Sequence, residues 1–172
     1  MHSVPHLRNN SLMNTPVIGP RLILVCGLPG SGKTTHARAL EQSLPAIRLC
    51  PDDWMAALDI DLYDEPQRQK IESLQWHFGR QLLRIGLTVI IEWGTWGRSE
   101  RDALRLEAHA DGAHVELHFL TAPVETLFER LDRRAMENPP VHRDDLLRWA
   151  AMFQTPTLEE MSLFDAALTL ES

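Results

Sequence analysis

The 172-residue chain predicts an α/β fold, a parallel sheet covered by helices on both faces. Two observations carry this. Short continuous apolar runs alternate with longer segments of three- and four-residue periodicity, which is the pattern of buried parallel strands and their crossover helices. In addition, the string Gly27-Leu28-Pro29-Gly30-Ser31-Gly32-Lys33-Thr34 joins the first strand-like run to the first helix-like run. It is a complete G-x-x-x-x-G-K-[ST] loop in the strand–loop–helix setting that such a loop requires.

The elements follow in order. Residues 21–26 (Arg-Leu-Ile-Leu-Val-Cys) form the first strand, and 34–43 the first helix. Residues 46–50 form the second strand. A short helix over 54–58 follows, with Asp53 as its N-cap. The longest helix spans 64–84. Asp64 caps it, Pro66 lies in its first turn and Gln67 completes a capping box. Its apolar stripe runs Ile71, Leu74, Phe78, Leu82, Ile85. Gly86 then releases the chain into a third strand over 87–92. A helix over 99–110 starts at Ser99, with Glu100 and Asp102 at its positive end. The Gly112 break precedes a fourth strand over 114–120. A helix over 123–136 places Val124, Leu127, Phe128 and Leu131 on one face. After Asn138-Pro139-Pro140 come a helix over 144–153 and a fifth strand over 166–170. Residues 1–20 are rich in Asn, Pro and Ser without periodicity and predict a flexible tail before one domain over 21–172.

Composition narrows the function classes. The chain has one domain's length, is 44% hydrophobic and 24% charged, and contains no apolar run of membrane-spanning length and no signal-peptide core. A cytoplasmic location is the default expectation. Cys26 and Cys50 fall at strand ends, where they read as buried small hydrophobes rather than a disulfide. The eight histidines lack metal-ligand spacing. A net charge of −7 argues against non-specific nucleic-acid binding. Arginine supplies all but Lys33 and Lys70 of the 17 cationic side chains, and its planar fork suits phosphate.

The loop defines the first half of a site. Its glycines let successive backbone N–H groups converge on one point, and the following helix adds its N-terminal donors and dipole. Leu28, Pro29, Gly30, Ser31, Gly32, Lys33, Thr34 and Thr35 are therefore the expected nucleotide-binding residues. Lys33 should reach the β- and γ-phosphates, and the Thr34 hydroxyl should ligate Mg²⁺. Ligands of open parallel sheets sit beyond the strands' carboxyl ends, which is where the other candidates cluster. Asp52 follows the second strand and is favoured over Asp53 as the carboxylate that accepts a proton from an attacking hydroxyl. Glu92 closes the third strand in a Walker-B pattern and is the second metal candidate. Beyond it, Trp93-Gly94-Thr95-Trp96-Gly97-Arg98 offers aromatic surface. Trp93 and Trp96 either wall a ligand or cap the core, and Asp53, Trp54, Arg98 and Arg101 complete the candidate substrate residues. Arg130 and Arg134 share a face of the penultimate long helix, at the root of a lid over about 130–143. Such arginines neutralise charge on a transferring phosphoryl group, or else form a solvated face.

These motifs resemble the small P-loop kinases grouped as AAA-type predicted kinases, relatives of polynucleotide kinase, zeta toxin and chloramphenicol phosphotransferase. The matching segments are GLPGSGKTT, CPDDW, VIIEWGTWGRSERDAL and LFERLDRR, spread over about residues 21 to 165. The resemblance implies a five-stranded sheet of order 2-3-1-4-5 and transfer of a phosphoryl group from ATP·Mg²⁺ to a hydroxyl. It assigns Lys33 and Thr34 to phosphates and metal, Asp52 to the base, and Arg130 and Arg134 to the lid. Two departures stand out. Relatives of polynucleotide kinase carry an arginine shortly after the acid pair, where this chain has Trp54-Met55, and a D-x-T-N string where it has Glu92-Trp93-Gly94-Thr95. Both favour a smaller, partly apolar acceptor. The competing readings are a polynucleotide 5′-hydroxyl kinase and a non-catalytic ATP-binding regulatory module.

Overall fold

In a computed structural model, which describes residues 19–134 and 141–166, four parallel strands form one sheet of order β2-β3-β1-β4. The strands are β1 (Arg21–Cys26), β2 (Ala46–Leu49), β3 (Thr88–Gly94) and β4 (His114–Phe119). The helices are α1 (Lys33–Ser43), α2 (Pro51–Ala57), α3 (Glu65–Arg84), α4 (Arg98–Ala110), α5 (Val124–Arg134), α6 (Arg143–Met152) and α7 (Leu158–Met161). Every residue of β1 is buried, because it pairs with β3 on one side and β4 on the other and both of its faces are covered. Ile23, Val25 and Ile90 meet Ala37 and Leu40 of α1 on one face. Leu22, Leu24, Val89, Ile91 and Val115 meet Leu83 of α3 and Leu104 and Ala108 of α4 on the other. A third cluster, Leu127, Leu131 and Leu146, joins α5 to α6. The predicted tail (up to residue 18), the middle of the predicted lid (135–140) and the fifth strand from 167 on lie outside the described residues.

Several boundaries differ from expectation for identifiable reasons. Helix α2 begins at Pro51 with Cys50 as N-cap, so Asp53 is not its cap. Proline's fixed φ and missing N–H suit the first helical position, and both aspartates then sit in the first turn near the positive end. Helix α4 likewise starts at Arg98 from a Gly97 cap, not at Ser99. Strand β3 runs two residues beyond Glu92. Asp64 does cap α3, accepting from the Gln67 N–H at 3.1 Å. The buried face of α3 is Ile71, Gln75, Gly79 and Leu83, while Leu74, Phe78 and Ile85 are exposed. Gly79 is the cause. A Cβ there would stand 3.0 Å from Leu49 Cδ1, so the helix lies against the sheet along the line of its one glycine.

Candidate active site

The carboxyl ends of the strands open into one cleft of about 1540 Å³. Its floor is the loop between β1 and α1. Gly27 and Gly30 have φ of 146° and 80°, and a Cβ on either would stand 2.2 Å from the Leu120 carbonyl oxygen or 2.8 Å from that of Leu127. Only glycine permits this close approach of loop to backbone. Pro29, Gly30, Gly32, Lys33, Thr34 and Thr35 line the cleft as expected. Leu28 and Ser31 do not. Leu28 packs against the α5–α6 cluster and turns its carbonyl inward to accept from Lys33 Nζ at 3.1 Å, and Ser31 is buried beneath the loop. Burial pushes the Lys33 ammonium below the ordinary lysine range, and the nearby Glu92 and Asp52 carboxylates counter it.

Glu92 and Thr34 meet directly, the Thr34 hydroxyl donating to Glu92 Oε1. Glu92 Oε2 accepts from Arg48 Nη1 at 2.8 Å. A hydroxyl and a buried carboxylate at a phosphate-binding loop are hard oxygen donors, and they fit a magnesium ion. Asp52 lines the cleft, and its Oδ1 accepts from Arg68 Nη2 at 2.6 Å. That arginine comes from α3, 16 residues further along the chain. Arg130, Arg133 and Arg134 line the opposite wall, with Arg130 Nη1 donating to the Gly30 carbonyl at 3.2 Å.

The substrate candidates separate. Trp93 and Trp96 line the cleft, Trp93 anchored by its indole N–H to Gln75 Oε1 at 2.9 Å and Trp96 edge-on to Trp149. Trp54 packs against the core instead, and Asp53 is turned to Arg48. Arg98 faces Asp102 and Glu159 at 3.6 and 3.7 Å, outside the cleft. Arg101 is fully buried. It donates to both Glu160 carboxylate oxygens at 2.6 and 2.9 Å and to the carbonyls of Thr95 and Gln154 at 2.9 and 2.7 Å. It is a structural pillar, because five donors in one plane can satisfy a carboxylate and loop carbonyls together. It also holds Thr95, a β-branched residue at φ 41°, in its left-handed conformation. Arg101→Ala should cost about 3–5 kcal/mol in denaturant unfolding, because Glu160 is left buried and unpaired. An Arg101→Leu/Glu160→Leu double variant should recover much of that loss.

Sequence reasoning missed Arg48, Arg68, Glu72 and Glu100, all charged residues on regular elements with no motif to single them out. Glu72 of α3 and Glu100 of α4 line the cleft near the tryptophans. Burial first, and then Glu100, push the Glu72 carboxyl up to about 7. Burial also raises Glu100, against the backbone N–H groups of Gly97 and Trp96. With a folded pKa above the ordinary 4.5, Glu72 contributes stability that is present below 4.5 and lost as pH rises through 7. Glu72→Gln should therefore gain about 1–3 kcal/mol over wild type on going from pH 4.5 to pH 8, read by urea unfolding. A gain that does not change with pH would contradict the shift. Cys26 and Cys50 are free, buried thiols raised by burial to about 11, as their strand-end placement suggested. No helix among the described residues is long and apolar enough to cross a membrane.

The chain matches known proteins along this frame. It is 32% identical over 133 residues to uncharacterized protein Rv2004c of Mycobacterium tuberculosis, covering 69% of this chain and 26% of that relative. The chain thus spans about a quarter of the length of the curated relatives it matches. Its fold superposes on a chain in the structure of the Pnkp1/Rnl/Hen1 RNA repair complex with a TM-score of 0.66 at 22% identity, over 89% of this chain and 48% of that one. A gluconokinase from Sinorhizobium meliloti follows the same fold with a TM-score of 0.54 at 24% identity, over 81% and 78% of the two chains. The AAA domain family matches residues 22–156, phosphate loop, Asp52, Glu92 and α5 included, and the chain belongs to that family.

Proposed function

We propose that the chain is an ATP-dependent phosphotransferase that passes the γ-phosphoryl group to a hydroxyl of a small molecule. The observation that carries this is the convergence of Lys33, the Thr34–Glu92 pair, Asp52 and the α5 arginines on one cleft. In this reading the loop amides and Lys33 hold the β- and γ-phosphates, and Thr34 and Glu92 hold magnesium. The metal, when bound, neutralises charge on the phosphate oxygens. Asp52 accepts the acceptor's hydroxyl proton as the oxygen attacks the γ-phosphorus, and the bond to the bridging oxygen breaks with its electron pair leaving on ADP. Arg68 holds Oδ1, which presents Oδ2 to the acceptor. Arg130 and Arg134 spread the charge of the transferring group and close the cleft to water.

Tyr63, Trp93 and Trp96 line the acceptor side, a surface that suits a ring or sugar better than a polyanion. The acidic side chains of Glu72 and Glu100 beside them offer a phosphate backbone no cationic contact, which agrees with the net charge of −7. The test is ADP release with ATP and Mg²⁺ over a panel of aminoglycosides, nucleosides, sugars and a 5′-hydroxyl oligonucleotide. Release stimulated by one small-molecule class supports the reading. Stimulation by the oligonucleotide alone replaces it with a polynucleotide acceptor, and tight ATP binding that no acceptor stimulates replaces it with a regulatory module.

A further inference from the structure

Arg48 has no place in the phosphate loop, in the lid or in the cleft wall, yet it contacts three carboxylates from three elements. It sits on β2 with 8% of its side chain exposed. Nη1 donates to Glu92 Oε2 of β3 at 2.8 Å, Nη2 donates to Asp53 of α2, and Nε donates to Glu41 of α1 at 3.3 Å. Glu92 is itself 4% exposed at the side chain, and its other oxygen accepts from Thr34. A carboxylate this buried needs a fixed cationic partner, and a planar fork sets both its charge balance and its rotamer. The same fork holds the first turn of α2, the turn that carries Asp52.

We infer that Arg48 is a positioning residue, fixing the Glu92 carboxylate toward Thr34 and locking the helix that bears Asp52 to that carboxylate. This rests on the phosphotransferase reading, in which Thr34 and Glu92 hold the metal and Asp52 is the base. Its reach is through Glu92 and Asp53, since Arg48 itself does not line the cleft. Partners behind a metal ligand typically cost 10–100-fold in metal affinity when removed. Lysine keeps the charge but not the fork that spans three carboxylates.

The experiment measures Mn²⁺ binding to the ADP complex by electron paramagnetic resonance, together with metal-free nucleotide affinity and thermal melting, for wild type, Arg48→Gln and Arg48→Lys. Both variants are expected to bind Mn²⁺ at least about 10-fold more weakly. Metal-free nucleotide affinity should stay at the wild-type value, and Arg48→Lys should melt closer to wild type than Arg48→Gln does. Wild-type Mn²⁺ affinity in either folded variant overturns the inference and leaves Arg48 as a structural ion pair. Absence of metal-dependent nucleotide binding in wild type would instead defeat the phosphotransferase reading itself, so the two failures are distinct.

Discussion

Lys33→Ala should lose nucleotide binding while keeping the fold. The Lys33 side chain lies in the cleft with its ammonium on the Leu28 carbonyl, and burial already disfavours its charge. A polyphosphate would give that charge a direct anionic partner, and charge-assisted hydrogen bonds to phosphate are among the stronger ones. Removing a hydrogen-bond donor to a charged group costs about 1.5–3 kcal/mol, on the order of 10- to 100-fold in affinity. Alanine also removes a desolvated ammonium, so the melting temperature should not fall. Titration with a fluorescent ATP analogue reads the first effect and a melting curve the second. Wild-type affinity in the variant would remove Lys33 from the phosphate site.

Asp52→Asn should behave differently: nucleotide affinity within about 2-fold of wild type, and phosphoryl transfer down by about 10²–10⁴-fold, the span of general-base catalysis. Asparagine keeps the size of the side chain and an oxygen for Arg68, and removes only the capacity to take a proton. Single-turnover transfer to whichever acceptor stimulates ADP release separates chemistry from binding. If Lys33→Ala and Asp52→Asn give the same profile, losing binding together, then Asp52 serves the nucleotide and the division of labour between the two is wrong.

The parts of this site that follow local rules were legible in the chain. The phosphate loop dictates its own backbone, and β1 and α1 bracket it within a residue of the expected ends. The strand-end placement of Asp52 and Glu92 follows from parallel-sheet geometry, and both do reach the cleft. What failed was whatever depends on a distant partner. Arg101 and Arg98 sit one turn apart on α4 and look alike in sequence, but one is buried against Glu160, 59 residues away, and the other lies at the surface between Asp102 and Glu159. Of the α3 stripe that periodicity chose, Ile71 is buried and Leu82 packs on the core, whereas Leu74, Phe78 and Ile85 are exposed because the sheet selected the face with Gly79, where the backbones could approach. Arg68 is invisible as a neighbour of Asp52 until α3 folds back across α2.

The buried bond between Arg101 and Glu160 also has a meaning in time. Chains emerge amino end first. The central strand β1 waits for both its neighbours, so the sheet can close only once Phe119 has been made. Residues Lys33, Asp52 and Glu92 are in place by then. The tryptophan loop is not, because the guanidinium that braces Thr95 and Trp96 is still without Glu160 and the Gln154 carbonyl. A released chain ending near residue 150 would thus carry its phosphate loop on a closed sheet while the tryptophan loop lacks its brace.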